Sequence, residues 1–239
     1  MLVDAHVHSY QPPRSFFDYD GNTRTALILV DLQNDFVAGS LAVGEAEKAL
    51  EVAQKLVASG KFDYVVASQD AHPPDHVSFA GSHKANPELF ADVVYDYNGQ
   101  KVTQTVYPSH CVQGTWGFEI HTSIDKSRID DFIWKGRDSD LDSYSAFADN
   151  LYQKITPLSQ LLHKHAVQRV VIVGLATDYC VRATTLDAVK FGFSVLVVPE
   201  GCRGVVPSRD SDIYKEMREK GVEVAGLDDA RVKAFLSAS

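Results

Sequence analysis

The stretch that most constrains the fold is the unbroken apolar run Ala26, Leu27, Ile28, Leu29 and Val30. A strand with one wet face alternates apolar and polar side chains. An uninterrupted run needs cover on both faces, as inside a parallel sheet flanked by helices. The next segment offers such cover. In "AEKALEVAQKLVASG" (46–60), Ala46, Ala49, Leu50, Ala53, Leu56 and Val57 fall at helical spacing, and Gly60 closes the helix. Strand and helix patterns then alternate. "FDYVVASQD", "DDFIWKG", "RVVIVGL", "FSVLVVPEG" and "VEVAGL" read as further strands; "PLSQLLHKHAV", "VRATTLDAVKFG" and "SDIYKEMREKG" read as helices. The expected class is α/β, a six-stranded, mainly parallel sheet with helices on both faces. Residues 70–128 read as a long irregular region, and loops of that length in a compact domain usually carry function.

Residues 1–24 read as an N-terminal extension that packs Tyr10, Phe16, Phe17 and Tyr19 on the surface of a single catalytic domain, 25–239. The net charge is −9 without a run of Lys and Arg, which argues against nucleic acid and anionic membranes as partners. Three widely spaced cysteines make no disulfide framework. With neither a signal-peptide pattern nor an apolar run near ~20 residues, the expected compartment is the cytoplasm. A small-molecule substrate fits best, and a homo-oligomer is left open.

Ligands of open parallel sheets bind beyond the carboxyl ends of the strands. The first strand ends at Asp31, the second at Asp70 with His72 beyond it, the third at Lys135, and the fourth leads to Cys180. Any one is an ordinary capping or surface residue; four at one edge form a candidate site. Cys180 precedes a helix, whose free N–H groups and dipole would stabilise a thiolate and an oxyanion. Asp70, His72, His76 and His110 offer a carboxylate and imidazoles suited to Zn²⁺, or to Fe²⁺ or Mn²⁺. His110 beside Cys111 suggests a thiol with its base, a rival for Cys180. "DAHVH" (4–8) matches the start of metal-dependent barrels, but such barrels need eight strand–helix units and roughly 250 residues, so His6 and His8 stay with the extension.

Five stretches, "LILVDLQNDF", "QDAHPPDHVSF", "YPSHCVQGTWG", "WKGRDSDLDSYSAF" and "GLATDYCVRATTLDAVKFG", together resemble the nicotinamidase/pyrazinamidase branch of the isochorismatase-like cysteine hydrolases, from about Thr25 to Gly226. The resemblance implies a three-layer α/β/α fold and a catalytic triad of Asp31, Lys135 and Cys180. It implies a metal, usually zinc, on Asp70, His72 and His110, with His76 a further candidate. It implies a cis peptide at Leu175–Ala176 and an oxyanion hole from the N–H groups of Ala176 and Cys180. Phe36, Tyr107, Tyr144, Leu175 and Tyr179 are the expected substrate-binding residues. His110 then serves the metal and Cys111 packing. The implied reaction converts nicotinamide to nicotinate and ammonia through a thioester, with pyrazinamide a second substrate. The alternative is a relative acting on a carbamoyl or ureido substrate. Ala71 and Tyr107 stand where members of the branch often carry larger aromatics, a departure that bears on substrate breadth.

Overall fold

The computed structural model describes residues 14–19 and 21–237. Its main sheet has the strand order β5-β2-β1-β6-β7-β8, with every pair parallel. The strands are β1 (Thr25–Val30), β2 (Tyr64–Asp70), β5 (Asp131–Lys135), β6 (Arg169–Leu175), β7 (Ser194–Arg203) and β8 (Glu223–Val224). Every residue of β1, β2 and β6 is buried, so both faces are covered. The helices are α1 (Asn34–Ala38), α2 (Ala46–Ala58), α3 (Leu158–Lys164), α4 (Arg182–Lys190), α5 (Asp210–Glu219) and α6 (Ala230–Ser237).

Winding proceeds from β1 outward through β2 to β5, then returns to β6 on the other side of β1. The chain therefore diverges between β1 and β6, and a crevice opens at their carboxyl ends. Register decides what meets there. Val30 pairs with Gly174, which sets Asp31 beside the end of β6, and Asp70 pairs directly with Lys135. Gly174 is required at that crossing: its φ is +141°, and a Cβ would stand 2.1 Å from the Val30 carbonyl oxygen.

Three expectations change. The region 70–128 is not wholly irregular, since β3 (Asp92–Tyr97) and β4 (Gln100–Thr105) form a separate antiparallel hairpin. Its turn is Asn98-Gly99, both at positive φ (51° and 82°), the strongest short hairpin signal a sequence carries. Cys180 does not open an α-helix; it lies in a π-helical turn, Thr177–Val181, that runs into α4. Nor do all the described aromatics of the N-terminal segment rest on the surface. Phe16 is 1% exposed. The Arg169 guanidinium lies 5.0 Å from both the Phe16 and Phe235 rings, and its Nη1 donates to the Phe16 carbonyl. Arg169 begins β6, so this cluster sits at the sheet edge opposite the crevice. His6, His8 and Tyr10 lie outside the described residues.

Candidate active site

Lys135 is the centre of the site. Its side chain is fully buried, and its Nζ lies 2.5 Å from Asp70 Oδ1, 3.0 Å from Asp31 Oδ2 and 3.3 Å from Cys180 Sγ. It also donates to the Ser143 carbonyl at 3.0 Å. The three strand-end residues of the expected triad are thus brought to one point, with Asp70 as a fourth member. Ser68 Oγ donates to Asp31 Oδ1 at 2.6 Å and fixes the carboxylate.

Electrostatics set the protonation states. Burial raises the Asp31 pKa, and the lowering effect of Lys135 does not fully offset it. Burial opposes the Lys135 ammonium, but Asp31, Asp70 and Cys180 outweigh it and hold its pKa well above the usual lysine value. Burial also pushes the Cys180 thiol well above its usual value, with Lys135 pulling the other way. This corrects the expectation of a thiolate stabilised at a helix start. The group rests as a thiol because desolvation in the closed crevice outweighs one nearby cation.

Asp70, His72 and His110 bring one donor atom each within 4.8 Å of one another. Asp70 Oδ2 lies 3.6 Å from His72 Nε2 and 4.0 Å from His110 Nε2. The opposite nitrogens are pinned by acceptors that cannot donate: His72 Nδ1 to the Gly136 carbonyl and His110 Nδ1 to the Pro108 carbonyl, both at 2.8 Å. In its neutral form each ring carries its proton on Nδ1 and has its Nε2 lone pair on the side of Asp70. One carboxylate and two such imidazoles, oriented by outer hydrogen bonds, fit a divalent ion of the zinc type. Gly136 belongs to this scaffold, because a Cβ there would meet His72 Cε1 at 2.5 Å.

His76 is oriented differently. Its Nδ1 lies 2.7 Å from the Ser78 hydroxyl and 3.3 Å from the Ser78 backbone N–H, both within its own turn. Its Nε2 is buried without a hydrogen-bond partner and faces Asp142 Oδ1 at 3.9 Å. Its ring stacks on His72 at 3.9 Å between centroids. Burial, with His72 close by, pushes the His76 pKa down to about 4.

A pocket opens above Cys180. Its walls include the expected Phe36, Tyr107, Tyr144 and Tyr179, and its floor includes Ala176, Asp70, His72 and His110. Leu175 is not part of the wall: it is fully buried in β6 and joins Ala176 through the expected cis peptide. Cys111 packs in the core, and burial raises its thiol pKa as well.

Sequence reasoning missed several residues here. Gln33 is completely buried; its Nε2 donates to the Asp70 carbonyl and its Oε1 accepts from the Asp70 N–H, both at 2.8 Å. It acts as an extra ladder rung between the ends of β1 and β2. Leu41, Asp142 and Val205 also line the pocket. Asp142 sits in "DSDLD", where nothing local distinguishes the one buried aspartate from its exposed and half-buried neighbours.

The chain matches the isochorismatase domain over residues 25–229. It is 39% identical to the nicotinamidase of Escherichia coli over 85% of this chain and 95% of that one. An Acinetobacter baumanii nicotinamidase/pyrazinamidase structure superposes with a TM-score of 0.79 at 35% identity, covering 87% of this chain and 98% of the other. The pyrazinamidase of Pyrococcus horikoshii, solved in complex with zinc, superposes with a TM-score of 0.69 at 31% identity, covering 85% and 99%.

Proposed function

This chain belongs to the isochorismatase family, and on that premise we propose that it is an amidohydrolase converting nicotinamide to nicotinate and ammonia. The observation that carries the reading is Lys135, whose ammonium touches Asp31, Asp70 and Cys180 together beneath an aromatic pocket. Asp31, Lys135 and Cys180 are the catalytic residues.

A flat pyridine carboxamide suits walls made by Phe36, Tyr107, Tyr144 and Tyr179. Asp31 takes the Cys180 proton as sulfur attacks the carboxamide carbon. A carboxylate of raised pKa is the right base for this step, since it can hold the proton it receives. Lys135 keeps the developing thiolate and the carboxylates in register. The N–H groups of Ala176 and Cys180 receive the oxyanion. Asp31 then returns the proton to the leaving nitrogen, ammonia departs and a thioester remains. Water, deprotonated by Asp31, attacks the thioester; nicotinate leaves and the Cys180 thiol is restored. Asp70, His72 and His110 would hold one divalent ion, zinc by preference and Fe²⁺ or Mn²⁺ as the other fits, which when bound supplies a Lewis-acid site for the ring nitrogen. His76 faces Asp142 and is placed outside the set of Asp70, His72 and His110.

Within this reading, residues 25–239 are one catalytic domain, the partner is a small molecule and the compartment is the cytoplasm. Among the described residues no helix is long and apolar enough to cross a membrane, and the three cysteines are free. Ammonia release from nicotinamide, by parent protein and by Cys180→Ala, tests the proposal. Turnover by the parent and none by the variant is the expected result. Turnover by both overturns the nucleophile, and turnover by neither overturns the substrate. Pyrazinamide is expected to be hydrolysed as well.

A further inference from the structure

We propose that Gln104, on the β3–β4 hairpin, is a positioning residue that holds one wall of the pocket from outside the main sheet. The inference rests on the reading of this pocket as the nicotinamide site. Residues of the hairpin are otherwise exposed or half-buried; Gln104 alone among β3 and β4 is buried, at 2% exposure. Its Nε2 lies 3.0 Å from Asp142 Oδ2 and 3.3 Å from the Tyr144 hydroxyl, and donates to the Thr105 carbonyl at 2.8 Å. The Asp142 carboxylate is acceptor-only, so the amide is turned with its nitrogen toward it.

Both partners face the pocket. The Tyr144 hydroxyl continues the chain to the Tyr107 hydroxyl at 3.2 Å, a third wall residue. Between Asp142 and Tyr144 stands Ser143, whose carbonyl accepts from Lys135 and whose N–H donates to Asp142 Oδ1 at 2.7 Å. Three consecutive residues thus place two side chains on the pocket and one carbonyl on the catalytic ammonium. A single buried amide braces both flanks of this segment. Asp142 is buried and does not exchange that amide for bulk water, so loss of the amide leaves a carboxylate oxygen short of a donor, while the half-buried Tyr144 loses one of its two hydroxyl contacts.

The test compares the parent, Gln104→Met, Tyr144→Phe and the double variant in nicotinamide hydrolysis, with a crystal structure and a melting curve for Gln104→Met. Met keeps the volume and removes the donors. The expected result for Gln104→Met is a fall of about tenfold in kcat/KM, carried mainly by KM. In the Tyr144→Phe background the same change costs clearly less than tenfold, because the two residues act through one contact. The Tyr144 ring is displaced in the crystal structure. Kinetic constants within twofold of the parent, or fully multiplicative effects with Tyr144 unmoved, would overturn the inference, as would a lowered melting temperature with no kinetic change. A parent inert toward nicotinamide would sink the substrate reading instead, and the position of Tyr144 in the variant crystal would still decide the role of Gln104.

Discussion

Replacing Lys135 by methionine is the sharpest perturbation of this site. The variant keeps an unbranched chain in the same channel and removes the charge. Lys135 Nζ faces one carboxylate at 3.0 Å and another at 2.5 Å, which corresponds to an attraction of roughly 5–7 kcal/mol for each at an effective dielectric of about 20. Burying the ammonium offsets much of that, so removing the cation is expected to cost about 3–5 kcal/mol, as for other broken buried pairs. The damage comes from Asp31, fully buried and left without a cation. The pH dependence follows from its sign. Burial already raises the Asp31 pKa, and loss of Lys135 raises it further. A carboxyl whose folded pKa exceeds its unfolded value becomes less destabilising as pH falls and it takes up a proton. The deficit of Lys135→Met relative to the parent is therefore larger at pH 8 than at pH 5. Urea unfolding at both values measures it, with the slope checked for constancy. Turnover falls as well, and most at the acid end, because a protonated Asp31 accepts no proton from Cys180. An unchanged urea midpoint, or a deficit that grows toward acid, would refute the account of Lys135 as the charge that holds the two acids together.

Three further outcomes are expected. Elemental analysis of dialysed protein should show stoichiometric metal lost in His110→Ala and kept in His76→Ala, since His110 stands with Asp70 and His72 in one set of three donors and His76 lies outside that set. The rate of Cys180 alkylation, followed by mass spectrometry of the peptide, should keep rising with pH past about 9 without a plateau, because burial holds the thiol well above the usual cysteine value. Phe16→Ala should lower stability by about 3–5 kcal/mol through loss of a buried ring, with KM unchanged, as the ring packs against Arg169 and Phe235 at the far edge of the sheet. A shift in KM would show that the two edges are coupled.

Much of the site was legible because strand ends are legible. A strand pattern that ends at Asp31 or Asp70 announces both the strand and the residue projecting from its end, and parallel topology puts such ends at one edge. The Asn98-Gly99 hairpin was readable too, but its strands alternate weakly and the surrounding loop hid it. Leu175 and Tyr179 show the limit of local reading. They flank the same turn, yet only Tyr179 reaches the pocket, because the first still belongs to a strand enclosed on both sides.

What the sequence determined by itself was the architecture and the reactive residue types: periodicity specifies which segments are strands, and covalent chemistry specifies which side chains can be nucleophile, base or ligand. What only the tertiary structure decided was their state. Burial favours the thiol at Cys180, two acids favour the ammonium at Lys135, and His76 turns its Nε2 toward Asp142. Those states depend on burial and on partners that arrive from distant segments, among them Asp31 and Asp70 at Lys135, Lys135 at Cys180 and Asp142 at His76. Electrostatic energies in a dry crevice vary steeply over an ångström, and a linear pattern of residue types does not encode distances of that kind.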